Sequence, residues 1–99
     1  MAAYVIGEAH VIRPELMKDY GPAVMASVEK YGGKYLARGA EPFVLEGGPA
    51  HNILMIEFAD VETARRWYAS PEYQAAKAMR QGNSNVRLVV IDSFVKKPA

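Results

Sequence analysis

The spacing of apolar residues predicts four strands and two helical segments. Tyr4 to Ile12 is rich in β-branched and aromatic residues and predicts the first strand. Lys34 to Arg38 predicts a short second strand, and Phe43 to Glu46 predicts only a brief extended piece. Asn52 to Phe58 is almost continuously apolar, which is typical of a central strand buried on both faces. Val86 to Phe94 predicts the last strand.

The first helical segment is predicted to begin at Pro14 and to end at Gly32-Gly33. Apolar residues recur there at spacings of three and four and form one face, which comprises Leu16, Tyr20, Val24, Val28 and Tyr31. Gly21-Pro22 interrupts the segment. Because Pro22 has no N–H for the carbonyl four residues earlier, we expect a kink or a restart of the helix there.

The second helical segment is predicted to break in the middle. Asp60 is suited to cap its start, and Ser70-Pro71 ends the first half and begins the second, since serine caps and proline fits the first helical position. Gly82 closes the segment. The apolar positions are Ala64, Trp67 and Tyr68 in the first half, and Tyr73, Ala76 and Met79 in the second.

This order of elements predicts one α+β domain with the connectivity β-α-β-β-α-β over residues 1–95, followed by a frayed tail at 96–99. Such an order in 99 residues is typical of the ferredoxin-like, split βαβ arrangement, a four-stranded antiparallel sheet with helices on one face. The uncovered face carries apolar residues as well as polar ones. A second copy of the chain would cover it, so we expect a homodimer.

Composition excludes several classes of protein. The formal net charge is only +1, so neither nucleic acid nor an anionic membrane is expected as the main partner. The chain has no cysteine, which excludes disulfides, thiolate metal sites and a cysteine nucleophile. It lacks an apolar run of the roughly 20 residues that span a bilayer. Met1 to Ile12 has no basic n-region, so no signal peptide is expected. We therefore expect a cytoplasmic protein.

Several segments of the chain together resemble a known family. They are Tyr31 to Gly39, Ile56 to Phe58, Trp67 to Gln74, Arg80 and Val86-Arg87. The run from Trp67 to Gln74 is the most specific, because it joins a helix end, a cap and three aromatic residues at fixed spacing. These segments resemble the DUF 1330 family of small bacterial proteins, within the dimeric α/β-barrel superfamily.

The resemblance covers nearly the whole chain and implies ferredoxin-like subunits that pair through their sheets as a homodimer. It does not imply a reaction, since the family is uncharacterised. Wider relatives include cofactor-free monooxygenases, muconolactone isomerases and stress-response proteins, which often use a pocket between sheet and helices. That is an analogy of fold, and one fold hosts many functions.

His10 is the candidate catalytic residue. It follows Glu8 by two positions, so both side chains leave the first strand on the same face. Histidine changes charge near neutral pH, which suits a general base. The alternative is an inert, hydrogen-bonded histidine at a barrel rim or a dimer interface.

A ligand-binding group is predicted around the helix break. Its members are Tyr20, Arg38, Trp67, Tyr68, Tyr73 and Arg80. Aromatic rings can line a slot for a flat ligand, and guanidinium groups bind carboxylates or phosphates bidentately. The rings can equally form the core. The arginines, together with Arg87, can equally form salt bridges with Glu57 or across a dimer, so both interpretations stay open.

Four residues at helix ends are assigned structural roles: Gly32, Gly33, Ser70 and Pro71. A nucleophilic Ser70 would need a base and an oxyanion hole that the sequence does not supply. The histidines, His10 and His51, lie far apart in sequence and outside any metal-ligand motif. We therefore expect no metal site and no cofactor.

Two hypotheses of function remain. The first is a cofactor-independent enzyme that acts on a small aromatic or carboxylated metabolite. The alternative is a dimer that binds a small ligand, or serves in a stress response, without catalysis. RNA binding is disfavoured, because the first strand offers Tyr4 without a second aromatic residue at the spacing of RNA-recognition domains.

Overall fold

Four strands and three α-helices make up this computed structural model, which describes residues 2–94 apart from the side chain of Ala40. The elements are β1 Ala3–Val11, α1 Tyr20–Lys30, β2 Lys34–Ala40, β3 Asn52–Phe58, α2 Val61–Ala69, α3 Pro71–Arg80 and β4 Ser84–Asp92. The predicted order β-α-β-β-α-β is confirmed, with the second helical segment split in two. The tail predicted at 96–99 lies outside the described residues.

The strands form one antiparallel sheet in the order β2-β3-β1-β4. This is the α+β, ferredoxin-like sheet that the sequence predicts. Val5 of β1 lies opposite Ile56 of β3 on one side and Val90 of β4 on the other. Residues directly opposite one another share a face of the sheet, so this register determines what each face presents.

All three helices pack on the face that carries Val5, and the core lies between them and the sheet. Its buried members are Val5, Val24, Val28, Ile56, Phe58, Ala64, Trp67, Tyr73 and Ala76. Packing is close enough at Gly33 that an added Cβ would lie 2.7 Å from both Phe58 and Val28. The predicted cap glycine Gly32 has the left-handed φ of 73° that ends α1.

The first helix begins later than the sequence predicts. Pro14–Leu16 form only a 3-10 turn, and α1 starts afresh at Tyr20. Pro22 is then the third residue of α1, where no N–H is needed, and the first helical bond runs from Ala23 N–H to the Asp19 carbonyl at 3.3 Å. Of the two outcomes expected at Gly21-Pro22, the restart is observed. Leu16 is exposed rather than part of the apolar face.

Ser70 holds the break between α2 and α3. Its Oγ accepts from the Tyr73 backbone N–H at 3.1 Å and donates to the Trp67 carbonyl at 2.6 Å, so it caps one helix and closes the other. Pro71 is the first residue of α3, as predicted. The buried stripe of α3 contains Arg80, whereas Met79 is largely exposed. Met79 was therefore wrongly predicted as a core residue.

The opposite side of the sheet, called the open face here, is not covered by the helices. On β1 it carries Tyr4, Ile6 and Glu8. Their cross-strand neighbours on β3 and β4 are Glu57, Met55, Ile53, Ile91, Val89 and Arg87. Within one protomer β3 is therefore covered on one face only, which differs from the predicted burial on both.

The connection between β2 and β3 has no strand at Phe43 to Glu46, where an extended piece was predicted. Phe43 and Leu45 in this connection are 89% and 88% exposed. None of the described helices is long and apolar enough to cross a membrane.

Candidate functional site

A cavity of about 570 Å³ lies between α2, α3 and the edge strand β4. We call it the α2–α3–β4 cavity. It leaves β4 partly uncovered on the helical side. Val90 there is still 36% exposed. The volume is in the range of small-molecule sites.

Most of the cavity wall is apolar. The aliphatic lining residues are Val5, Ala64, Val86, Leu88 and Val90; Val89 also borders the cavity, but its side chain belongs to the open face. Trp67 and Tyr68 of α2 add two aromatic rings. Tyr68 lies with its ring centroid 5.2 Å from that of Tyr73, which in turn lies 4.4 Å from that of Trp67. The wall therefore suits a molecule with a flat apolar part.

The charged lining of the cavity has a single sign. Lys77 and Arg80 are basic, and none of the lining residues in the described part of the chain is acidic. Arg87 borders the cavity from β4, but it lies opposite Glu8 and its side chain belongs to the open face. Lys77 and Arg80 lie three residues apart on α3, so they project from the same side of that helix. The cavity thus combines an apolar wall with a positive end.

Tyr68 and Lys77 form a polar pair on the wall across the helix break. The Lys77 ammonium donates to the Tyr68 hydroxyl oxygen at 3.0 Å. Gln74 also donates through Nε2 to the Tyr68 carbonyl at 2.7 Å, which ties the end of α2 to α3. Because the hydroxyl oxygen accepts from lysine, its own O–H remains available as a donor.

Behind the wall, Arg80 is held by tyrosine hydroxyls. Its guanidinium donates through Nη2 to the Tyr73 hydroxyl at 3.1 Å, and it also hydrogen-bonds with Tyr20. Burial opposes the charge of Arg80, while hydrogen bonding to Tyr73 and Tyr20 favours it. The pKa of Arg80 lies above its ordinary value. Arg80 therefore stays cationic in the folded protein.

Burial raises the pKa of Tyr20 to about 12, and the nearby Tyr73 adds to the effect while Arg80 partly opposes it. A folded-state pKa above the unfolded value of about 10 favours the neutral phenol. The corresponding stability is present below pH 10 and is lost as the pH rises from 10 towards 12.

The protein should therefore lose more stability between pH 9.5 and 11.5 than its Tyr20→Phe variant does. We expect a difference of roughly 1–2 kcal/mol, which is less than the full pKa shift implies because part of the side chain meets solvent. Urea unfolding at a series of pH values measures it. Parallel stability curves for the two proteins would contradict this assignment.

The predicted ligand residues divide into three groups in the fold. Trp67, Tyr68 and Arg80 line the cavity, whereas Tyr20 and Tyr73 lie behind Arg80. Arg38 lies elsewhere, 5.7 Å from the ring centroid of Tyr35. Lys77 was missed, although its spacing of four from Tyr73 and three from Arg80 places it on the same side of α3.

His10 does not line the α2–α3–β4 cavity. It stacks on His51, with ring centroids 4.3 Å apart and planes within 5°. This pair, together with Glu8, Asn85, Val86 and Arg87, lines a smaller hollow of about 260 Å³. The cross-strand register brings together two histidines that the sequence separates. Within residues 2–94, no three His, Asp or Glu side chains gather closely enough to hold a metal ion.

The family model of a domain of unknown function, DUF1330, matches residues 2–94. The chain belongs to the DUF1330 family. This confirms the resemblance carried by the segments from Tyr31 to Arg87. No curated protein matches the chain in sequence.

Solved structures share the fold over almost the whole chain. RPA0582, a protein of unknown function from Rhodopseudomonas palustris, has a TM-score of 0.76 at 17% identity, over 96% of this chain and 84% of that one. A dimeric ferredoxin-like protein of unknown function from Jannaschia sp. has a TM-score of 0.69 at 10% identity, over 93% and 99%. SnoaB, a cofactor-independent oxygenase from Streptomyces nogalater, has a TM-score of 0.64 at 11% identity, over 99% and 98%. At these identities the similarity establishes the fold alone.

Proposed function

We propose that this DUF1330 protein is a homodimer that binds a small, partly apolar molecule in the α2–α3–β4 cavity of each protomer. The cavity itself is the observation that carries the proposal: about 570 Å³, with apolar and aromatic walls and a few polar groups at one end. Sites for small ligands have this character. The helix break at Ser70-Pro71 shapes this cavity, because it lets the Lys77 ammonium reach the Tyr68 hydroxyl.

The dimer is supported by the open face. Ile6, Met55 and Val89 lie side by side at its centre, and in one protomer they are not covered by any helix. Contiguous apolar surface of this kind marks an interface in a soluble protein. The structurally similar Jannaschia protein is described as dimeric. A symmetric pair would bury the same patch on both copies.

One observation favours catalysis rather than binding alone: the Lys77 ammonium donates a hydrogen bond of 3.0 Å to the Tyr68 hydroxyl. A tyrosine so placed could transfer a proton to a bound molecule, with no cofactor involved. Once a ligand is found, conversion that Tyr68→Phe abolishes would identify an enzyme. A ligand that is bound but recovered unchanged would identify a binding protein. His10 lines the separate hollow on the other face of the sheet, so it would not contact a molecule bound in this cavity.

Filling the cavity should remove ligand binding. Val90→Trp places a large ring on the wall, and we expect at least about a tenfold loss of affinity, because the volume for the ligand is occupied. The measurement is a thermal-shift and NMR screen of small aromatic fragments, both neutral and anionic, since a ligand of the native state raises its melting temperature.

The matched control is Val44→Trp. Val44 has similar exposure, 40% against 36% for Val90, but lies in the connection between β2 and β3, outside the cavity. Fragments should bind Val44→Trp as they bind the unmodified protein. The proposal fails if no fragment binds, or if Val90→Trp binds them with unchanged affinity.

A further inference from the structure

Arg80 is a buried cation that has no carboxylate partner within residues 2–94. Only 8% of the residue is exposed, and its Nε is buried with no hydrogen-bond partner among the described residues. The ion pair that these residues do contain, between Lys30 and Glu72, lies elsewhere on the protein. A buried charge is strongly unfavourable unless it is paired.

The groups that surround the guanidinium do not neutralise it. Tyr73 and Tyr20 are its hydrogen-bonding partners, and both are phenols. Since burial raises the pKa of Tyr20 to about 12, that phenol is neutral at physiological pH. The two hydroxyls orient Arg80 but leave its positive charge uncompensated.

A neighbouring charge in the cavity adds to this imbalance. Lys77 lines the same cavity as Arg80. The positive potential of these two cations attracts a negatively charged molecule. The remaining wall is aliphatic and aromatic, so a compact, fully hydrated anion would leave most of it unfilled.

From these observations, and given that the cavity is the ligand site proposed above, we infer that its ligand is a carboxylate on a flat apolar body, and that Arg80 binds the carboxylate. A planar guanidinium matches a planar carboxylate and can donate two parallel hydrogen bonds to it. The apolar body then lies along Trp67, Tyr68 and the valines of β4. The ligand supplies the counter-charge that the protein lacks.

Benzoate and benzamide test the inference, because they have nearly the same shape and differ in charge. For the unmodified protein we expect benzoate to bind at least about tenfold more tightly than benzamide, as followed by NMR chemical-shift titration. Arg80→Met should lose this preference, since the cation that selects the carboxylate is gone. Arg80→Lys keeps the positive charge but loses the planar guanidinium, so it should retain only part of the preference for benzoate.

Arg65→Met is the control for the loss of one positive charge, because Arg65 is exposed on α2 and does not line the cavity. It should bind benzoate like the unmodified protein.

Equal binding of benzamide and benzoate to the unmodified protein would overturn the inference, even if Arg80→Met failed to fold. Such a result would still leave a cavity that binds neutral ligands, so the proposed function would stand. Unchanged benzoate preference in a folded Arg80→Met protein would also overturn it.

Discussion

Replacing Ile6 with glutamate should convert the protein from a dimer into a folded monomer. Ile6 lies at the centre of the open face, directly opposite Met55 on β3 and Val89 on β4. In a face-to-face dimer each copy would bury one unpaired carboxylate there. Burying each carboxylate would cost about 3–5 kcal/mol of the free energy of association. We expect dimer affinity to fall by more than roughly a hundredfold. In the monomer the carboxylate reaches water, so the fold is retained.

Sedimentation or size-exclusion chromatography at micromolar concentration measures the change, with circular dichroism to check the fold. Met25→Glu is the matched control: it also places a carboxylate at an apolar residue, but on α1 and 40% exposed. That variant should remain a dimer. A monomeric unmodified protein, or a dimeric Ile6→Glu protein, would contradict pairing through the open face.

Truncation of Trp67 to alanine should lower the free energy of unfolding by about 3–5 kcal/mol. Trp67 is 2% exposed and packs between Phe58 and Tyr73, with ring centroids 5.3 and 4.4 Å away. Its Nε1 donates to Ser27 Oγ at 3.0 Å, which joins α2 to α1. Because a domain of this size is stable by only about 5–15 kcal/mol in total, this loss leaves little reserve.

Urea unfolding at a constant protein concentration measures this loss, since the proposed dimerisation would make stability concentration-dependent. Trp67→Phe separates packing from hydrogen bonding. It keeps most of the ring volume and loses the bond to Ser27, so we expect a smaller loss of about 1–2 kcal/mol. A loss below about 1 kcal/mol for Trp67→Ala would place the centre of the core elsewhere.

The sequence predicted the order of elements well where local chemistry decides it. Ser70-Pro71 combines a capping hydroxyl with a proline at the first helical position, and the break is found there. The first helix was predicted less well, because Pro14 and Pro22 are both compatible with a helix start. Tertiary packing places the start of the helix near Pro22, since Val24 and Val28 lie in the core while Leu16 remains at the surface.

The candidate site could be predicted only in part. Trp67 and Tyr68 were singled out because they lie just before a recognisable helix break, and Arg80 because a guanidinium suits an anion; all three line the cavity. Lys77 was missed, because nothing in the sequence distinguishes it from a solvated lysine. Its role depends on the angle between α2 and α3, which brings its ammonium to the Tyr68 hydroxyl. His10, the catalytic candidate, lies apart from these residues, because it leaves β1 towards the hollow that it shares with His51.

By itself the sequence determined the elements, their order and the break at Ser70-Pro71, because apolar periodicity, capping and proline geometry act over a few residues. Only the tertiary structure decided which residues meet. The antiparallel register stacked His10 on His51, and the packing of α3 buried Arg80 beside two tyrosines, with no carboxylate of the described residues paired to it. Such contacts join positions tens of residues apart. Their chemistry therefore exists only once the chain has folded.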